Sequence, residues 1–122
     1  MDWKIELVAI PVTDVDRAKK FYTGIGFNAD YDESPTEDIR FVQLTPPGSG
    51  CSIAVGKGIT DAAPGSVVGM QIVVASAEQA YQELTAAGVA ATPVKDEGWG
   101  LFTYFADPDG NKWAVQEIPK RP

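Results

Sequence analysis

There is no histidine among the 122 residues. That absence removes the commonest general base, the commonest ligand of catalytic zinc and every Ser-His or Cys-His nucleophile pair. There is one cysteine, Cys51, so no intramolecular disulfide can form, as in a chain of the reducing cytoplasm. Basic residues are scarce, 10 against 17 acidic, and the formal net charge is −7. Without a basic stripe the chain has no electrostatic hold on phosphate backbones, which excludes nucleic acid as the expected partner. No apolar run approaches the roughly 18 residues of a membrane span, so no membrane is expected either. The opening MDWKIELVAIPV lacks a basic segment followed by an apolar stretch and a small-residue cleavage site, and is not expected to be a secretory signal. What remains is an ordinary folded composition, 44% hydrophobic and 22% charged, of a size for one domain.

An internal repeat organises that domain. At a constant offset of 62 positions Ala18 falls on Ala80, Gly26 on Gly88, Pro46 on Pro108 and Gly48 on Gly110. Between these anchors apolar residues meet apolar residues, as Val8 with Met70, Ile10 with Ile72 and Ile53 with Val115. Each half reads alike. A strand over 6–12 leads through Thr13-Asp14, an N-cap, into the helix VDRAKKFYTG, which Gly26 ends. Strands follow near 27–32, 38–45 and 51–56, with Pro46-Pro47-Gly48 turning the last pair. In the second half a strand over 66–74 precedes Ser76, which caps AEQAYQELTAAG, and Gly88 ends that helix. Strands near 89–94, 100–106 and 111–118 complete it, with Asp107-Pro108-Asp109-Gly110 as the tight turn. The expected fold is α+β, two βαβββ modules: module one about 4–56, a Gly/Ala/Pro-rich connector at 57–65 and module two about 66–118, in a single domain 1–122.

LVAIPVTDVDRAKKFYTGIGF and FADPDGNKWAVQE carry a resemblance. The first resembles the opening, and the second the closing hairpin, of the vicinal oxygen chelate superfamily of glyoxalase I, bleomycin-resistance proteins, fosfomycin-resistance enzymes and extradiol dioxygenases. The resemblance covers nearly the whole chain. It implies two modules paired into a cup-shaped mixed sheet, helices outside and ligand within, usually in a homodimer. Family enzymes commonly hold a metal with His or Glu at four inward positions. Carried over, these fall on Leu7, Ser52 (Ala54 if the register slips by a strand period), Gly69 and Ala114. None suits a divalent metal. The expectation is therefore no metal and no cofactor.

Period-2 alternation then sorts the strands. Val8, Ile10, Met70, Ile72, Trp113 and Val115 are assigned to the helix side. Leu7, Ala9, Gly69, Gln71, Lys112, Ala114 and Gln116 are assigned to the ligand side. With Val42 and Leu44 in the core, Phe41 and Gln43 also face the ligand, and the offset of 62 sends them to Thr103 and Phe105. A one-residue slip would invert such an assignment. The wall so composed mixes small residues, amides and aromatics, with Ser52 and Ala54 beside them and Trp99, in the Gly-flanked EGWG, as a lid or a subunit contact. It suits a sizeable planar or partly aromatic molecule, neutral or cationic, the acidic balance mildly favouring a cation.

Three functions compete. The first is a metal-free, cytoplasmic, homodimeric binding protein of the bleomycin-resistance kind, sequestering an aromatic or cationic natural product. The second is a metal-independent isomerase, cyclase or lyase, whose acid–base work would fall to groups such as Lys112, Glu6 or Tyr104. The third, a metal-dependent glyoxalase or dioxygenase, is the weakest because its ligand positions are empty of ligands.

Overall fold

A computed structural model describes residues 1–119. The chain forms two compact units, residues 1–66 and the remainder from Val67. Each is α+β with the same plan. In the first, β1 (Leu7–Ala9) leads to α1 (Val15–Gly24), then β2 (Asn28–Thr36), β3 (Ile39–Thr45) and β4 (Ser52–Lys57). In the second, β5 (Met70–Val74) leads to α2 (Ala77–Ala86), then β6 (Lys95–Asp96), β7 (Leu101–Ala106) and β8 (Lys112–Glu117). The sheets are ordered β1-β4-β3-β2 and β5-β8-β7-β6. In both, the first strand runs parallel to the last and the rest are antiparallel. The expected βαβββ pair is present.

The two helices begin and end by the same chemistry. Asp14 accepts from Arg17 N–H at 3.0 Å and Ser76 from Gln79 N–H at 3.1 Å, each satisfying an orphan donor of the first turn. At the other end Gly26 (φ +106°) and Gly88 (φ +84°) adopt left-handed backbone that a side chain would strain. Phe27 N–H then reaches back to Tyr22 O and Val89 N–H to Leu84 O, both at 2.9 Å, closing Schellman motifs. α1 packs Ala18 and Tyr22 against the β3 and β4 face that carries Val42, Leu44, Ile53 and Val55, all buried. α2 packs Ala77 and Leu84 on β7 and β8, where Phe105 stacks on Trp113 with ring centres 5.9 Å apart.

Two expectations need correction. The expected strand over 89–94 is irregular, and regular pairing with β7 begins only at Lys95. Pro93 has no N–H to give a ladder, and Thr92 alone holds the segment to β7, through Thr92 N–H to Tyr104 O at 2.9 Å. The second correction concerns facing. Phe105 pairs with Trp113 and Thr103 with Val115, so both lie on the helix side, opposite the face to which alternation assigned them. Phe105 is 5% exposed, and Thr103 is fully buried with its hydroxyl donating to Thr92 O at 2.7 Å. The cause is one residue. The β3–β4 connection spans residues 46–51, whereas that between β7 and β8 spans only 107–111. The constant offset therefore slips in β7 and every side chain there changes sides.

The short β7–β8 connection is tightly built. Asp107 Oδ1 accepts from Asp109 N–H at 3.0 Å and Asn111 N–H at 2.9 Å, while Asn111 Nδ2 donates to Asp107 Oδ2 at 2.8 Å. Asn111 Oδ1 accepts from Val67 N–H at 3.2 Å, and Val67 O accepts from Lys112 N–H at 2.8 Å. The DPDGN signature is thus a buried clasp between the turn and the segment entering β5.

Candidate functional site

Each sheet has one face on its helix and one face turned away. In the first unit the second face carries Leu7, Ala9, Phe41, Gln43, Ser52 and Ala54, as the register Leu7↔Ser52, Ala9↔Ala54 and Gln43↔Ala54 requires. The sequence assignment of these six to one face holds. Its polar centre is a linked row. Gln43 Nε2 donates to Ser52 Oγ at 3.2 Å, the Ser52 and Thr45 hydroxyls lie 2.6 Å apart, and Thr45 hydroxyl reaches the Asp30 carboxylate.

In the second unit Gln71, Lys112, Ala114 and Gln116 share the corresponding face, and Gly69 immediately precedes β5. A methyl group at Gly69 would meet nothing within 4 Å, so that position is open. Gln71 Nε2 donates to Gln116 Oε1, and Gln116 Nε2 in turn donates to Trp99 O at 3.1 Å. This pair of amides holds the backbone of the 97–100 loop while the Trp99 ring stays 68% exposed. Gly100 lies close below it, where a Cβ would displace the Gln116 amide, 2.6 Å away, and press on Glu117 O at 3.0 Å.

The register also brings two further residues to this face. Tyr104 pairs with Ala114 and Phe102 with Gln116, and the two rings stack with centres 5.7 Å apart. Tyr104, Ala106, Lys112, Ala114, Val68 and Ala90 are among the residues lining a pocket of about 450 Å³. Burial, reinforced by the charge of Glu97, pushes the Tyr104 phenol above its usual range, so it stays a neutral hydroxyl at neutral pH. Glu97 is itself met by Lys95, with Oε1 3.2 Å from Nζ. The sequence signal that could have placed Tyr104 here is the turn length, five residues against six. A second pocket, of about 370 Å³ in the first unit, lies among Pro11, Val12, Thr13 and the 56–64 segment, and contains none of the expected site residues.

Comparison with known proteins supplies the family. The family model for the Glyoxalase/Bleomycin resistance protein/Dioxygenase superfamily matches residues 4–115. The chain belongs to that superfamily. Among solved structures, it is similar to TnmS3, an antibiotic binding protein from Streptomyces sp. CB03234 (28% identity, TM-score 0.87, covering 97% of this chain and 98% of the other). It is also similar to a glyoxalase/bleomycin resistance protein from the same Streptomyces strain, with 30% identity, TM-score 0.81 and coverage of 93% and 99%. A superfamily member from Sphaerobacter thermophilus DSM 20745 gives 30% identity, TM-score 0.84 and coverage of 95% and 98%. A search of curated proteins gives no match.

Enzymes of the superfamily suggest a metal, and the donors here do not fit one. The four carried-over positions offer a leucine, a glycine, an alanine and the Ser52 hydroxyl, which already bonds Gln43 and Thr45. Glu117, the nearest carboxylate in β8, is turned to the helix side, where its Oε1 accepts from Ala77 N–H at 2.9 Å and caps α2. Among the described residues no three His, Cys, Asp or Glu side chains gather as a metal site would need, and no helix is long and apolar enough to cross a membrane.

Proposed function

We propose that this chain is a metal-free binding protein that sequesters a sizeable aromatic natural product, in the manner of antibiotic-binding members of its superfamily. The observation that carries the reading is the pocket over β7 and β8. Ala114 stands where a ligating side chain would, and with Val68, Ala90 and Ala106 it leaves an apolar space beside the Tyr104 ring. The likeness to an antibiotic binding protein at 28% identity supports it. Holding rather than converting is supported by the pocket's chemistry. Its lining residues include no carboxylate, and its phenol is kept protonated.

In this proposal each module presents its own ligand face, Leu7, Ala9, Phe41, Gln43, Ser52 and Ala54 in the first, and Gly69, Gln71, Lys112, Ala114 and Gln116 in the second. Trp99 stands at its edge. The whole chain acts as one domain, works in the cytoplasm and pairs with a second copy. Pairing is supported by apolar residues left bare, with Trp3 87%, Ile5 74% and Val73 61% exposed.

The test is titration of a panel of aromatic antibiotics against tryptophan fluorescence, with mass spectrometry of each compound after overnight incubation. Saturable quenching with the compound recovered intact is expected. Folded protein that responds to no member of the panel refutes the reading, and a converted compound replaces it with the metal-independent isomerase, cyclase or lyase.

A further inference from the structure

The geometry points to a more specific ligand class: the pocket over β7 and β8 takes a flat aromatic acid, its ring on Tyr104 and its carboxylate on Lys112. This rests on the binding reading above and adds a charge to it. The pocket, at about 450 Å³, is ample for two or three fused rings. Its wall there is short and aliphatic, from Val68, Ala90, Ala106 and Ala114, and Phe102 backs the Tyr104 ring. Phe105 and Trp113 also border the pocket, so a flat ring system finds aromatic surface and little polar obstruction. The hydroxyl of Thr92, which also lines the pocket, already accepts from Tyr104 N–H at 3.0 Å.

Charge decides the rest. Lys112 lines the same pocket on the same strand face as Ala114, and its ammonium has no ion-pair or hydrogen-bond partner among the described residues. The acid nearest the Tyr104 hydroxyl, Glu97, is matched by Lys95, so it leaves no net negative charge to attract a cation. Lys112 is therefore the uncompensated charge of the pocket, and its sign is positive although the chain as a whole carries −7. At ionic strengths near 0.15 M the remote acidic surface is screened within about 8 Å, and the local ammonium governs. The preference for a cation suggested by net charge alone is thereby reversed. An ammonium beside a partly desolvated carboxylate gives a charge-assisted hydrogen bond that a neutral ligand lacks.

Three probes with one ring system separate the terms: 2-naphthoate, 2-naphthalenemethanol and 2-naphthylmethylammonium, titrated calorimetrically into the full-length protein. Naphthoate is expected to bind about tenfold more tightly than the alcohol, and the ammonium more weakly than either. Lys112→Met should abolish the carboxylate preference and leave the alcohol within about twofold, Lys112→Arg should retain it, and 1 M KCl should narrow it. Tyr104→Leu should weaken all three together. Equal binding of the three, an ammonium preference, or a carboxylate preference that survives Lys112→Met overturns the inference and leaves the binding reading standing. Binding of none, in a protein that also ignores the antibiotic panel, overturns both.

Discussion

Replacing Phe105 with alanine should destabilise the chain far more than replacing its neighbour Tyr104, and the contrast tests the facing on which the site depends. Phe105 is 5% exposed, on the helix side, with its ring parallel to Trp113 at 5.9 Å. Large-to-small changes of a buried phenylalanine cost about 3–5 kcal/mol, and a stacked aromatic pair adds about 0.5–1.5 kcal/mol to its burial. Tyr104 is only half-buried and borders an open pocket, so truncation leaves no closed cavity. Its loss should cost about 1–2 kcal/mol, mostly the stacking on Phe102. The predicted gap is about 2–3 kcal/mol, a large part of the 5–15 kcal/mol typical of such domains. Urea unfolding followed by circular dichroism measures both variants on one scale. If Phe105→Ala does not fold, Phe105→Leu should still cost about 1 kcal/mol. Equal costs, or a larger cost at Tyr104, would refute the register argument and return Phe105 to the ligand side.

Three other outcomes follow from single contacts. Asn111→Ala should cost about 2–4 kcal/mol in the same unfolding assay, because it strips a buried partner from both Asp107 and Val67 N–H. Asp32 accepts from Arg40 through both carboxylate oxygens at 3.0 and 2.8 Å and from Lys19 at 2.8 Å, bonds that hold its carboxyl well below the usual range. Its contribution is therefore complete above about pH 4 and fades as the pH falls through the lowered value. Asp32→Asn should cost about 1–2 kcal/mol at pH 7, and thermal melts of variant and parent should converge in acid. Gln116→Leu should release the Trp99 carbonyl, seen as faster amide exchange across 97–100, with a stability change of about 1 kcal/mol.

Most of the architecture was legible because it rests on local chemistry. Asp14 and Ser76 cap the helices, Gly26 and Gly88 end them, and each feature lies within a few residues of what it controls. The spacing of those features repeats, so the second module could be read from the first. In β1 the alternation also survived, although regular pairing stops at Ala9 where Pro11 can give no N–H. What failed was non-local. Whether Thr103 or Tyr104 faces away from the helix depends on how β7 registers against β8, and the length of the turn between them sets that register. PPG and DPDG align as turns at the constant offset, which conceals the missing residue. The 89–94 segment failed for the related reason that a lone apolar run does not reveal whether a neighbour's ladder will accept it. The Asp32–Arg40–Lys19 network was not legible because its members lie far apart in the chain and meet only across β2, β3 and α1.

The corrected register changes what the site can do, not only where residues sit. With Thr103 and Phe105 on the ligand side, that face would have carried a hydroxyl and a ring whose burial the core needs, in competition with any ligand. With Phe102 and Tyr104 there instead, the core keeps its Phe105–Trp113 pair and the ligand side gains a stacked pair of its own. On the proposed function, folding rests chiefly on Thr103 and Phe105 and binding chiefly on Tyr104, although Phe105 also borders the pocket. Substitutions at 103 should act on folding, those at 104 on the proposed binding, and those at 105, which also borders the pocket, on folding first. Such a division would let the proposed pocket change its specificity at position 104 with little cost to the fold, because Tyr104 is not among the side chains that hold the helix.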